Sequence, residues 1–491
     1  MKKILPFLIS AALILALLTP VFAYGTLAEG EGEATLLQEG EFDIQSGESL
    51  KKYSQQPLKA VKSAEDSAHE QLLSVNAQVN LSSYSISVDD VDTFYSNVIN
   101  DNPDLFFVSS SYSYNYYPST GKIAYIFPQY AMSSDEIADA KIIFNAGVER
   151  ALAEVDDSMS NLQKALVLHD YIASEGIYPV LQYDSSNQLV NDENIWHSAY
   201  GFFYNRVSVC AGFTLTYSYL LKQLGIECEY VGSNDMAHAW NKVYIDGNRY
   251  NVDITFDNHD NAQGQNTYGS VRHAHFLKSD SYFASESGSC HYGGTTYDGC
   301  AANSTVYDSA FWDDTCARIY VVNGDYYYLR PNNGKYGILY LTKRTSEGVE
   351  SNVGTYFTTV YLNYTAYAFD ENGTQHNIPY TDSLARLAYL DNRFYVVAGN
   401  TVYSKLLDGT QYTITDTSGN YCNGLGVNEN GNLLWQPYTD SSSINVLDKL
   451  TYYDTYMTMK KTNGAAANYN NYPDINLDGA VNAKDYALII Q

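Results

Sequence analysis

The spacing of apolar and polar positions changes from segment to segment along this chain, and each change marks an element. An apolar run from Ile4 to Leu18 follows Lys2 and Lys3, and Val21-Phe22-Ala23 fits a cleavage site. The run is short for a membrane span and no second one succeeds it, so residues 1–23 are expected to be an export signal. Tyr24 to Glu41 is rich in Gly and Glu without apolar period, the texture of an acidic linker. A polar helix around residues 50–75, the run Leu105-Phe106-Phe107-Val108 and a Tyr-rich hairpin predict a small α/β domain over 42–150.

Ser133-Ser134-Asp135-Glu136 carries the capping-box pattern of a helix start, and Ser160 with Gln163 opens the next helix in the same way. Leu162, Ala165, Leu166 and Ile172 of that second helix fall on one stripe, the face expected to pack against the succeeding domain. Phe213, Tyr217, Leu220, Leu221 and Leu224 again have helical spacing, with Gly225 placed to end the helix. Asp246-Gly247 is a two-residue hairpin signal between the alternating segments Ala237–Ile245 and Asn248–Phe256. Residues 151–309 thus read as a second α/β unit.

Beyond about residue 310, short Tyr- and Val-rich strands separated by Asn-Gly, Asp-Gly and Asn-Asn turns predict an all-β domain over 310–460. Segments beginning near Ile319, Phe357, Leu387 and Gly424 recur at about 35–40 residues, a pattern open to propeller-like blades or to a β-sandwich. Residues 461–471, with Gly464 and three alanines, read as a second linker.

With 491 residues the chain exceeds what one hydrophobic core organises. A net charge of −28 with no basic run excludes electrostatic binding to nucleic acid or an anionic membrane surface. The 48 tyrosines suit pleated, half-buried surfaces, and sugar stacking is the sharper alternative. Six cysteines are present, an odd number once Cys210 is reserved for chemistry, so they cannot all pair within one chain. Cys290 and Cys300 could close a small loop, and no Cys/His spacing has the form of a zinc site.

Cys210 stands at the predicted helix start, in Val207-Ser208-Val209-Cys210-Ala211-Gly212-Phe213. Unpaired N–H groups and the positive end of the helix dipole there favour thiolate over thiol, and a neighbouring imidazolium adds to this. The bland reading of one cysteine is a small buried hydrophobe. His238 and Asp253 weigh against it. Centred on the Asp246-Gly247 turn, Asp253 falls opposite Trp240, and His238 lies two residues along on the same face, diagonally within reach. A three-residue turn would send the two to opposite faces. An Asp beside a His fixes its tautomer and steadies the imidazolium, the third-group role in a nucleophilic triad; a purely structural pair is the alternative.

The stretches "KALVLHDYIAS", "HSAYGFFYNRVSVCAGFTLTYSYLLKQLGIECEYVGS", "HAWNKVYIDGNRYNVDITF" and "HFLKSD" resemble the transglutaminase-like superfamily of papain-type cysteine enzymes. The resemblance implies an α+β fold with a papain-like catalytic domain over 151–309, with Cys210 as nucleophile, His238 as general base and acid, and Asp253 as orienting carboxylate. It implies acyl transfer through a thioester, with a protein or peptide as substrate and water or an amine as acceptor. Ala211 stands where related bacterial sequences often carry Gln. Tyr200, His169 and Trp240 also match the family pattern, and each is read first as a packing or hydrogen-bonding residue.

Asp474, Asn476, Asp478, Asn482 and Asp485 occupy positions 1, 3, 5, 9 and 12 of a twelve-residue loop, with Gly479 at the turn and the Ala480 carbonyl at position 7. Such an all-oxygen cage suits calcium. Asp485 in place of the usual Glu resembles dockerins, so 472–491 is expected to be a partial dockerin. That resemblance implies attachment to a cohesin module of a scaffoldin, in a secreted, extracellular or cell-surface complex of cellulosome type. The leading reading is a secreted cysteine peptidase or amidase. A protein-crosslinking transglutaminase, or a non-catalytic component binding polysaccharide or protein, are the alternatives.

Overall fold

A computed structural model describes residues 37–41, 63–179, 181, 193–258, 269–294, 301–390, 392–416, 422–427, 433–437 and 451–452. The expected export signal, the 461–471 linker and the partial dockerin with its calcium loop lie outside the described residues. No helix among the described residues is long and apolar enough to cross a membrane.

The first sheet has the order β1-β3-β4-β2, from β1 (Leu37–Glu41), β2 (Val79–Asn80), β3 (Val108–Tyr117) and β4 (Lys122–Tyr130). Strand β1 corrects the expectation of a linker running to Glu41, because an edge strand needs only backbone pairing and Gln38, Glu39 and Gly40 pair with Tyr114, Ser113 and Tyr112. Helices α1 (Ala64–Leu73) and α2 (Val91–Asn100) cover the sheet, burying Leu72, Phe94 and Tyr95 against Tyr112 and Ile126.

Helix α3 (Ser134–Leu152) begins on the expected capping box, with Ser133 Oγ accepting from the Glu136 N–H and the Glu136 carboxylate accepting from the Ser133 N–H. Its Ile137 joins the first core, and Ala140, Phe144 and Ala151 join the next. The expected domain border at residue 150 therefore cuts a helix that both cores share.

Helix α4 (Asn161–Glu175) also starts on its predicted box. It is not one-sided, however: every residue from Ala165 to Glu175 is buried, and Leu162 is only partly so. Elements pack around the whole helix, and its polar residues are spent on buried pairs with them. Helix α5 (Ala199–Asn205) leads into α6 (Cys210–Gln223), which ends on Gly225 at φ +71°, with Ile226 N–H donating to Leu221 O at 3.0 Å.

The second sheet is the meander β5 (Cys228–Ser233), β6 (His238–Ile245) and β7 (Asn248–Val252). Asp246 and Gly247 turn between β6 and β7 at φ +49° and +82°, the double left-handed geometry that an Asp-Gly turn supplies. Pairing then runs from Ile245 with Asn248 to Asn241 with Val252. Phe213, Tyr217, Leu220 and Leu221 of α6 share a core with Val243, Tyr250 and Val252 of this sheet. The one-turn helices α7 (Ile254–Asp257) and α8 (Asp280–Phe283) come next.

The remaining chain is rich in strands. β8 (Tyr320–Val322), β9 (Asp325–Asn332), β10 (Lys335–Arg344), β11 (Glu350–Asn352) and β12 (Phe357–Thr358) form one antiparallel sheet. Tyr361–Phe369 pairs with Gln375–Ser383, and Ala385–Leu390, Arg393–Ala398, Thr401–Leu406 and Gln411–Asp416 make a further meander. Each of these sheets is built from strands close in sequence. The expected border at 309/310 is blurred by β9: Tyr326 and Tyr328 point into the core built by α4, α6 and the second sheet, and Tyr327 and Leu329 into the β core. A period of two lets one strand serve both.

Candidate active site

Cys210 is the first residue of α6, after Val209 in extended conformation at φ −91° and ψ −178° with no side-chain cap. Its backbone place is fixed from both sides. Ser208 N–H donates to Ile177 O at 3.0 Å and Val209 N–H to Trp196 O at 3.0 Å. A methyl on Gly212 would stand 2.4 Å from Trp196 O, so the first turn of α6 presses directly on the 194–198 segment. Cys210 is half-buried.

His238 opens β6 beside Ser233 of β5, and Ala237 before it takes a left-handed φ of +49°. Its Nε2 lies 2.7 Å from Asp253 Oδ2, which leaves Nδ1 for the hydrogen bond to the Cys210 side chain. Burial alone would discharge this imidazole, but the Asp253 carboxylate, with the hydrogen bonds to Asp253 and Cys210, outweighs it and raises the pKa to about 10. Trp240 stacks on the ring with centroids 5.9 Å apart and gives its Nε1–H to Asn251 Oδ1 at 3.1 Å.

Asp253 comes directly after the last residue of β7 and caps α7, its Oδ1 accepting from the Phe256 N–H at 3.1 Å. It is 0% exposed. Burial would protonate it, yet the charge of His238 and hydrogen bonds from His238 and His291 hold it well below the usual carboxylate range. The structure thus brings together all three residues of the expected triad, on the start of a helix, the start of a strand and the cap just after the next strand.

Sequence reasoning passed over His291. Its Nε2 is 2.8 Å from the same Asp253 Oδ2, and its Nδ1 lies against the Gly288 carbonyl. Of a second buried network it singles out only His169, as a packing or hydrogen-bonding residue. His169 places Nδ1 2.9 Å from Asp170 Oδ1 and Nε2 3.2 Å from Asp257 Oδ2. His273 Nε2 meets Asp170 Oδ1 at 2.9 Å, and His275 Nδ1 meets Asp257 Oδ1 at 3.0 Å. Burial opposes charge on His169, but Asp170 and Asp257 lift it to about 9; burial opposes charge on Asp170, but His273 and His169 lower it to about 2. One-turn α7 therefore carries a carboxylate at each end: Asp253 faces His238 and His291, and Asp257 faces His169 and His275.

Two sets of donor atoms lie within 4.8 Å of one another, His169 with Asp170 and His273, and His238 with Asp253 and His291. Their N···O separations are those of direct hydrogen bonds, so these donors are already engaged with each other. Tyr200 is a core aromatic, stacked on Phe106 with centroids 4.5 Å apart. Among the described residues Cys210, Cys228 and Cys290 are free thiols. Cys300, the candidate partner of Cys290, lies outside the described residues, as do the expected calcium ligands Asp474, Asn476, Asp478, Ala480, Asn482 and Asp485.

Residues 150–254 match the family model for the transglutaminase-like superfamily, a span that holds Cys210, His238 and Asp253 but not His273, His275 or His291. No curated protein matches the chain. A solved structure titled "Crystal structure of a TGase" aligns at 16% identity and a TM-score of 0.21, over 28% of this chain and 41% of that one. The chain thus spans well under half the length of that solved protein.

Proposed function

We propose that this protein is a cysteine acyl-transfer enzyme of transglutaminase-like type, a peptidase or amidase, working through Cys210, His238 and Asp253. The observation that carries the reading is the continuous chain from the Cys210 thiol through the His238 imidazole to the buried Asp253 carboxylate, inside the segment that matches the transglutaminase-like superfamily.

His238, cationic up to about pH 10, is the partner of a Cys210 thiolate. The sulfur attacks an amide carbonyl carbon, and the displaced C=O electron pair becomes an oxyanion that the Cys210 backbone N–H can stabilise. Collapse forms the thioester while His238 gives its proton to the departing amine or ammonia. Water or an amine then adds to the thioester, losing its proton to His238, and the thiolate leaves. Asp253 keeps the ring oriented throughout and stabilises its charged form whenever it holds the second proton.

Residues 1–23 would direct export, and the loop at 474–485 would attach the enzyme to a cohesin-bearing complex. That loop offers only oxygen donors, the chemistry calcium requires, and its ion would order the partial dockerin without entering catalysis. The test of the central reading is incubation with casein and a biotinylated primary amine. Release of new amino termini marks hydrolysis, biotin on the protein marks transamidation, and both should vanish in Cys210→Ala. Turnover that survives in Cys210→Ala overturns the proposal.

A further inference from the structure

We infer that His291 is a positioning residue, which fixes the Asp253 carboxylate so that it can in turn orient His238; this rests on the triad reading above. Asp253 has three donors around it. The Phe256 N–H reaches Oδ1 at 3.1 Å, and both His238 Nε2 and His291 Nε2 reach Oδ2, at 2.7 and 2.8 Å. A carboxylate held only by its cap and by His238 would be aimed by the very ring it must aim. His291 supplies the independent anchor.

The surroundings of His291 are built to hold that ring still. It packs against Phe283, Trp240 and Phe256 with centroids 4.3, 5.0 and 5.0 Å away. Its backbone N–H donates to Phe283 O at 2.8 Å, and the Cys290 N–H to Ser285 O at 2.9 Å. The two residues before it, Ser289 and Cys290, take left-handed φ values of +60° and +56° although neither is glycine. Consecutive non-glycine residues in that region are strained, and strain of this kind persists where surrounding contacts over-determine a functional geometry.

The proton inventory of the ring agrees. Nδ1 faces a carbonyl and Nε2 a carboxylate, both acceptors, and the ionised carboxylate is the stronger. A proton on Nε2 is therefore donated to Asp253, while burial pushes the His291 pKa down. The His291 side chain is 1% exposed against 5% for His238, so His291 lies behind the site and acts through Asp253.

The test is a double-mutant cycle read with p-nitrophenyl acetate, whose hydrolysis needs no knowledge of the natural substrate. His291→Leu should lower kcat by about ten- to a hundredfold with little change in KM, the scale typical of partners that orient a site ligand from behind. His291→Gln, which keeps an N–H donor, should recover most of the loss. In an Asp253→Asn background, His291→Leu should cost nothing more. If His291→Leu does not fold, His291→Asn, whose amide is too short to reach Oδ2, takes its place in the cycle. Full activity in the single variant, or losses that multiply in the double variant, would overturn the inference. Failure of the triad reading is distinguishable, because it leaves ester hydrolysis intact in Cys210→Ala.

Discussion

Replacing Asp253 with Asn removes one charge and keeps the size of the side chain, so it isolates what the carboxylate does for His238. The imidazole stands at about 10 against an ordinary 6.5, which at about 1.4 kcal/mol per unit is on the order of 5 kcal/mol of preference for its charged form. Most of that preference comes from Asp253, while the burial that opposes it stays in the variant. His238 in Asp253→Asn should therefore titrate at or below its ordinary value. At pH 7 the ring, wholly an imidazolium in the wild type, would be charged in roughly a quarter of molecules or fewer. Histidine ring NMR titration reads this directly, with His238→Gln to assign the signal. The same variant should lose on the order of 10³-fold or more in kcat, since both the charge on the ring and its tautomer fail together. A His238 midpoint unchanged by Asp253→Asn would refute the reasoning, whatever happened to the rate.

Three further outcomes are expected. His169→Ala leaves Asp170 and Asp257 buried without their shared cation and should cost about 3–5 kcal/mol in urea unfolding. The wild type should show a matching pH window. His169, raised from 6.5 to about 9, contributes fully below pH 6.5 and loses its contribution as pH rises through 9. Asp170, lowered from 3.8 to about 2, contributes fully above pH 3.8 and loses its contribution as pH falls through 2. Thermal unfolding should thus be most resistant between about pH 4 and 6.5, and a maximum above pH 9 would contradict the pairing. Gly212→Ala drives a methyl to 2.4 Å from Trp196 O, so it should destabilise by about 1–3 kcal/mol and slow turnover by displacing Cys210; unaltered melting and rate would show the first turn to be looser than this.

The reach of local rules decides how much of the fold and site is legible in the sequence. Asp246-Gly247 allows few hairpins, and a two-residue turn with a period of two is enough to set His238 and Asp253 on one face. The helix start at Cys210 is equally local, because helical spacing and Gly225 bound the element from both ends. His291 obeys no such rule: it lies on a loop 38 residues beyond Asp253, in a segment without periodicity. The His169 network joins residues as far as 103 positions apart, and a helix stripe read from Leu162, Leu166 and Ile172 gave no sign that His169 and Asp170 are buried as well. Strand β1 escaped notice for the opposite reason: an edge strand is held by backbone pairing, and its Gly and Glu residues carry no apolar alternation.

The central claim is a sulfur anion paired with a histidine cation, and thiolate absorbance at 240 nm at pH 7 tests it most directly. Cys228 and Cys290, both pushed up by burial, should remain thiols and stay silent at that wavelength. Wild type minus Cys210→Ala should then give the absorbance of one thiolate, and the same difference in a His238→Ala background should shrink toward zero. No difference in the wild type, or an equal one without His238, would contradict the account.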